Sequence, residues 1–280
     1  MGNDGYVHGY SVREHQRLTD QASSLVELLH WDTAFSSGSE VLEAGCGVGA
    51  QTVTIARNSP DARITSVDIS AESLAAAKDR VGRAGLRNVT FRQADLFDLP
   101  FPDASFDHVF VCFVLEHLKD PAGALSRLRS LLKAGGTITV IEGDHGSTYF
   151  HPDDADARRA VSCLVEVQAR LGGDSLIGRR LYPLLADAGY AEVSVSPRMV
   201  YVDGSKPHLI DGFTLKTFTA MVEGVRDQAL AAGMIDEASW ERGIAGLTRT
   251  AATDGVFCYT FFKGRGLRPA SATAAWPARR

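Results

Sequence analysis

One cluster limits this chain more than any other: Glu43-Ala-Gly45-Cys-Gly47-Val-Gly49. Ahead of it stands a short run with strand character, Glu40-Val41-Leu42-Glu43, and behind it Gln51 to Arg57 reads as a helix. A strand that passes through closely spaced glycines into a helix is the first unit of an α/β sheet. Glycine is needed where the backbone takes positive φ, or where a ligand must meet it with no Cβ between. Three such residues cost stability, so the turn is expected to hold a ligand.

The chain beyond keeps the same rhythm. Arg63 to Val67 is a second strand ending at Asp68, and Ser70 caps a helix through Lys78 and Val81. Val89 to Phe91 is a third strand, closed by Ala94-Asp95. Phe106 to Phe113 is almost wholly apolar, as a strand buried on both faces should be. Asp120-Pro121 opens the next helix, Gly135-Gly136 stops it, and Thr137 to Ile141 is a fifth strand. The alternation then breaks. Residues 143–188 and 206–252 have mostly helical patterns, and Val193–Ser196 and Val256–Phe262 read as sixth and seventh strands. The expected fold is α/β: a Rossmann-like, doubly wound seven-stranded sheet with helical cap insertions. Residues 1–38 form an N-terminal segment, with Leu18, Ala22, Leu25 and Leu29 at helical spacing behind the capping box Ser11 to Glu14. The main domain spans 39–264, and residues 265–280 are expected to be disordered.

The 280 residues suffice for one large domain with a sizeable core. A net charge of −5 gives no footprint for nucleic acid or an anionic membrane. No apolar run approaches the roughly 18 residues of a membrane span, and the N-terminus lacks the pattern of a signal peptide. A cytoplasmic location is therefore expected. Cys46, Cys112, Cys163 and Cys258 are far apart with no paired spacing, so they read as buried thiols rather than as a zinc or redox site.

The glycine turn admits two ligands. As GxGxxA, with Ala50 last and Asp68 at the distance of a ribose carboxylate, it fits a dinucleotide, but a pyrophosphate wants free amides at a helix N-terminus. Glu43 would be poorly placed beside a phosphate. It suits a cation, such as the sulfonium and ammonium end of S-adenosylmethionine. The chain resembles the class I S-adenosylmethionine-dependent methyltransferases through successive segments: VLEAGCGVG, SVDIS, QADLFDLPF, FDHVFVCFVLEHL and LLKAGGTITVIEGD. YVHGYS and GDHGSTYFHP are similar to a less characterised bacterial and archaeal subgroup. The resemblance implies that Glu43, Gly45 and Gly47 line the methionine part of the cofactor and that Asp68 holds the ribose. It implies Ile69 against the adenine, Asp95 on the adenine amine and Leu96 beside it. Cys112 and Phe113 approach the methyl group, while Tyr10 and Gln21, with Tyr6, close over the carboxylate.

The substrate is less legible. Cys112-Phe113-Val114-Leu115 stands where base-directed enzymes carry Asn or Asp before Pro-Pro and an aromatic, so a flipped base is not expected. The helical insertions should cover the carboxyl ends of the strands, which suits a small-molecule acceptor. Methyl transfer needs positioning above all, and a base only for a protonated nucleophile. His145 is the first candidate base, with Asp144 to orient it and Tyr149 as an alternative; Glu142 and His151 lie nearby, and Glu116 and His117 at the other rim. Tyr149, Phe150 and Tyr182 are a candidate aromatic wall. No metal is expected, because the sulfonium already supplies the electrophile. A homodimer, a nicotinamide-dependent oxidoreductase, and a cofactor-binding protein of other chemistry stay open.

Overall fold

A computed structural model describes residues 25–270. Seven strands form one sheet in the order β3-β2-β1-β4-β5-β7-β6. They are β1 Glu40–Ala44, β2 Arg63–Asp68, β3 Val89–Gln93, β4 Phe106–Cys112, β5 Leu132–His151, β6 Ala191–Val202 and β7 Val256–Leu267. The first five are parallel, and the order reverses between β1 and β4. In such sheets the ligand crevice lies outside the carboxyl ends at that reversal. β7 runs antiparallel to both β5 and β6, which the strand–helix alternation did not foretell.

Helices α1 Ala50–Asn58, α2 Ala71–Arg83 and α3 Pro121–Leu131 follow β1, β2 and β4. Ser70 caps α2 through the amide of Ser73, and Asp120 caps α3 through Gly123 with proline at the start. Side chains alternate across the sheet. Val41, Ile64, Phe110 and Ile141 face one core with the helical insertions, whereas Leu42, Val67, Val109, Val111 and Val140 face the other with α3.

The largest departure from the sequence reading is in β5. Residues 143–151 were expected to be a loop, turning through Gly143 and Gly146, that leads into a helical insertion, yet they continue the strand to His151. The reason is β7, whose aromatic and β-branched start offers an antiparallel ladder: Asp144 pairs with Thr260, Tyr149 with Cys258 and His151 with Val256. Between them residues 145–148 bulge out, and side chains satisfy the backbone there. Thr260 N donates to Ser147 Oγ at 2.9 Å, and Gly146 N to Asp144 Oδ1 at 3.0 Å. The first insertion helix, α4, is Ala155–Arg170, followed by α5 Leu181–Asp187. β6 and β7 are likewise longer than their apolar centres suggested, and Arg265–Leu267, placed in the tail by sequence, are strand residues paired with β5.

The second insertion opens with a π-helical segment, Ile210–Thr219, and includes α6 Glu237–Arg249, which packs on α4. Residues 25–30 form a helix whose Leu25 and Leu29 enter the core. Asp32 ties the end of this helix to the far strands: its carboxylate takes Lys263 Nζ at 2.6 Å from β7 and Arg198 at 2.6 Å from β6. Among the described residues no helix is long and apolar enough to cross a membrane, and no group of three His, Cys, Asp or Glu could hold a metal ion.

Candidate functional site

The glycine turn sits at the carboxyl end of β1. Gly45, Gly47 and Gly49 all have positive φ, at 75°, 49° and 75°. The turn is held from β2, because the amides of Gly45 and Cys46 both donate to Val67 O at 2.9 Å. The glycines differ in what surrounds them. A Cβ on Gly45 would meet Val114 Cγ2 at 2.6 Å, and one on Gly49 would meet Ala77 at 2.9 Å. A Cβ on Gly47 would meet nothing within 4 Å. Gly45 and Gly49 therefore serve close protein packing, while Gly47 faces open space.

Two carboxylates stand near the turn, Glu43 on β1 just ahead of it and Asp68 at the end of β2. Glu43 is buried, and Thr52 Oγ1 and Ser66 Oγ both donate to its Oε2, at 2.7 and 2.6 Å. Burial pushes its carboxyl up to about 7; the two hydroxyls pull it back down, and the neighbouring Asp68 charge adds to the rise. Asp68 accepts from Gly47 N at 2.8 Å through Oδ2 and from Ser70 N at 2.9 Å through Oδ1. It thus fixes the turn itself, a role that its spacing in the sequence did not disclose.

The remaining implied cofactor residues lie on the same edge. Ile69, next to Asp68, is 59% exposed at the end of β2. Asp95 is exposed and accepts from Phe97 N at 2.9 Å, with Leu96 half buried beside it. Cys112 ends β4, and Phe113 follows with φ of 57°, a positive value uncommon outside glycine and found at functional sites. Burial and the acids Glu142 and Glu43 push the Cys112 thiol well up, so it is no thiolate nucleophile. Tyr6, Tyr10 and Gln21 lie outside the described residues. The residues fit S-adenosylmethionine: open backbone at Gly47, the Asp68 carboxylate beside it, Glu43 just ahead of the turn, and an exposed apolar side chain at Ile69 where an adenine would lie.

The candidate base is arranged otherwise than by Asp144. His145 is buried, and its Nδ1 lies 2.8 Å from Tyr259 Oη on β7. Asp144 points the other way and takes Arg179 with both oxygens, at 2.6 and 2.7 Å. Asp144 spends its oxygens on Arg179 and Gly146, and His145 Nδ1 meets Tyr259, so Asp144 does not orient His145. Gly143 is the residue that admits Tyr259, because a Cβ there would overlap the phenolic oxygen. Tyr149 is 55% exposed and its hydroxyl donates to Met199 Sδ at 3.2 Å, so it is not part of the His145 cluster. Tyr182 is also exposed; of the expected wall only Phe150 turns inward, stacked on Phe257. The other rim is polar and buried. Glu142 Oε1 accepts from Val114 N and Leu115 N, at 3.0 and 2.8 Å. Burial and the nearby Glu116 push the Glu142 carboxyl well up, and the amides of Val114 and Leu115 pull it back. Gln168 Nε2 reaches Glu116 Oε2 at 3.3 Å.

Sequence reasoning passed over Tyr259, Ser66 and Thr52. Tyr259 had one visible signal, the alternation Phe257-Cys-Tyr259-Thr-Phe261, which puts three rings on one face of a strand.

Comparison with known proteins identifies the family. The profile of a methyltransferase domain matches residues 42–140. Over 165 residues the chain is 33% identical to the demethylmenaquinone methyltransferase of Tropheryma whipplei, covering 53% of this chain and 67% of that protein. Over 178 residues it is 31% identical to the 27-O-demethylrifamycin SV methyltransferase of Amycolatopsis mediterranei, covering 59% and 63%. Among solved structures, phosphoethanolamine N-methyltransferase 2 of Haemonchus contortus, determined with S-adenosylhomocysteine, superposes with a TM-score of 0.54 at 17% identity. That match covers 89% of this chain and about half, 53%, of that one. The chain belongs to the class I S-adenosylmethionine-dependent methyltransferases.

Proposed function

We propose that this methyltransferase acts on a small organic acceptor held between the carboxyl edge of the sheet and the helical insertions. The observation that carries this reading is the open space at Gly47, in a turn whose amide is held by Asp68. Bound there, S-adenosylmethionine supplies an electrophilic methyl group on sulfur. Glu43 offers its carboxylate to the cationic end, Asp68 accepts from ribose hydroxyls, and Ile69, Asp95 and Leu96 receive the adenine. Cys112 and Phe113 line the approach of the acceptor. A small acceptor is supported by the two insertions, which build the first core layer above β5 and β7, and by relatives named for a quinone and a rifamycin precursor. Four free cysteines support a reducing compartment such as the cytoplasm.

His145 is the proton acceptor in this reading, positioned by Tyr259. An imidazole can take a proton at a ring nitrogen, and the hydrogen bond between Nδ1 and Tyr259 holds the ring in place. The test is transfer of labelled methyl from S-adenosylmethionine into a bacterial metabolite extract. Label in a low-molecular-mass product supports the reading; label only in protein or nucleic acid contradicts it.

A further inference from the structure

We propose that Glu142 and Gln168 are positioning residues for the cofactor: they clamp the segment Phe113–His117 from two sides, and through Val114 the clamp sets the shape of the glycine turn. This rests on the reading that S-adenosylmethionine binds at Gly47. The segment leaves the end of β4, which lies between β1, the strand of the turn, and β5, the strand of Glu142. It has little regular structure of its own. Phe113 has φ of 57°, and Val114 lies at φ −120° and ψ −45°, outside both the helical and the extended regions. One turn of 3₁₀ helix, Leu115–His117, follows, and no side chain of the segment caps it. A non-glycine residue keeps positive φ only where its surroundings enforce it.

Three neighbours enforce it here. From β5, Ile141 O accepts from Phe113 N at 2.9 Å, and Glu142 Oε1 accepts from Val114 N and Leu115 N together. Successive amides that converge on one carboxyl are the bonds of a helix N-cap, supplied from a distant strand instead of from the segment. From α4, Gln168 Nε2 reaches Glu116 O at 3.4 Å and Glu116 Oε2 at 3.3 Å. Asp174 N, just past α4, donates to the same carbonyl at 2.8 Å, and a Cβ on Gly173 would block that approach. The third neighbour is the turn itself. Val114 packs so closely on Gly45 that no Cβ fits between, while the Gly45 amide is tied to Val67 O on the other side. The turn is therefore held between β2 and Val114. Glu142 and Gln168 are fully buried, and Glu142 Oε2 and Gln168 Oε1 have no hydrogen-bond partner. Unmet buried polar atoms cost stability, so one on each side of a strained segment marks a geometry kept for the site and not for the core. The first insertion is thereby linked to the cofactor: a shift of α4 reaches Glu116 through Gln168, and Val114 passes it to Gly45.

The test is calorimetric titration of S-adenosylhomocysteine into the parent and four folded variants, with hydrogen exchange on each. Glu142→Leu removes the acceptor of the segment's amides and should bind about tenfold more weakly, the scale of one hydrogen bond to a charged group. Faster exchange should be confined to residues 45–47 and 113–117. Glu142→Gln should stay within about twofold of the parent, because its amide oxygen accepts the same bonds. Val114→Ala should weaken binding as well, and combining it with Glu142→Leu should add little, since both break one link. Gln168→Leu should weaken binding severalfold, and it decides the matter if Glu142→Leu does not fold. Parental affinity in folded Glu142→Leu or Gln168→Leu, a loss in Glu142→Gln as large as in Glu142→Leu, or additive losses with Val114→Ala overturns the proposal and leaves the cofactor reading intact. A folded parent that takes up no S-adenosylhomocysteine overturns both.

Discussion

Tyr259 Oη lies 2.8 Å from Nδ1 of His145, across two strands and 114 residues of sequence. Both groups are buried, so the bond forms away from water. Tyr259→Phe keeps the ring on β7 and removes only the oxygen. The expected result is a loss of about 1–3 kcal/mol in urea unfolding, the usual effect of orphaning a buried partner. S-Adenosylmethionine affinity by calorimetry should hold. A variant as stable as the parent would mean that His145 finds another partner.

The residue before His145 has a structural task. The Asp144 carboxylate is buried, whereas Arg179 is 47% exposed on its side chain, so the two halves of the ion pair are unequal. Arg179→Met strands a buried charge and should cost about 3 kcal/mol. Asp144→Asn leaves Arg179 free to turn to water and should cost about 1 kcal/mol. Chemical denaturation of both variants checks the order, and the reverse order would contradict it.

Asp68 shows how sequence and structure divide the information. Its spacing from the glycine turn marks a ribose carboxylate, and on that ground Asp68→Ala should weaken cofactor binding with little change in melting. The structure adds bonds from the amides of Gly47 and Ser70. Asp68→Ala is therefore expected to weaken S-adenosylmethionine by about 1.5–3 kcal/mol and also to destabilise the cofactor-free protein by about 1–2 kcal/mol. Calorimetry and thermal unfolding measure the two effects separately. Unchanged melting would mean that the turn holds its shape without Asp68.

Local signals carried the sheet as far as Ile141, because each parallel strand there is a short apolar run ended by a turn. The acids and glycines of the turn were equally plain, since their chemistry depends on neighbours in sequence. What stayed hidden depends on distant partners. β5 runs on to His151 because β7, more than a hundred residues later, supplies its ladder, and glycines 143 and 146 read locally as a loop. The pairing of Asp144 with Arg179 and of His145 with Tyr259 follows from that ladder, and no periodicity within 143–151 could reveal it.

Glu43 makes stability depend on pH. Its carboxyl ordinarily titrates near 4.5, and burial raises it to about 7 in the fold. The folded protein keeps a proton that the unfolded chain gives up, so the contribution of Glu43 is complete below pH 4.5. It falls by about 1.4 kcal/mol per pH unit at most as pH rises, until the folded carboxyl ionises near 7. Glu43→Gln removes the titration. Urea unfolding at pH 5 and pH 8 should therefore show the variant gaining on the parent at the higher pH. A constant difference across that range would show that Glu43 is ionised throughout.

The most direct test of the account is calorimetric titration of the protein with S-adenosylmethionine, S-adenosylhomocysteine and NAD. Glu43 before an open Gly47 predicts micromolar binding of the first two and no heat of binding with NAD. Tight NAD binding, or no binding of either adenosyl ligand by the folded protein, would contradict it.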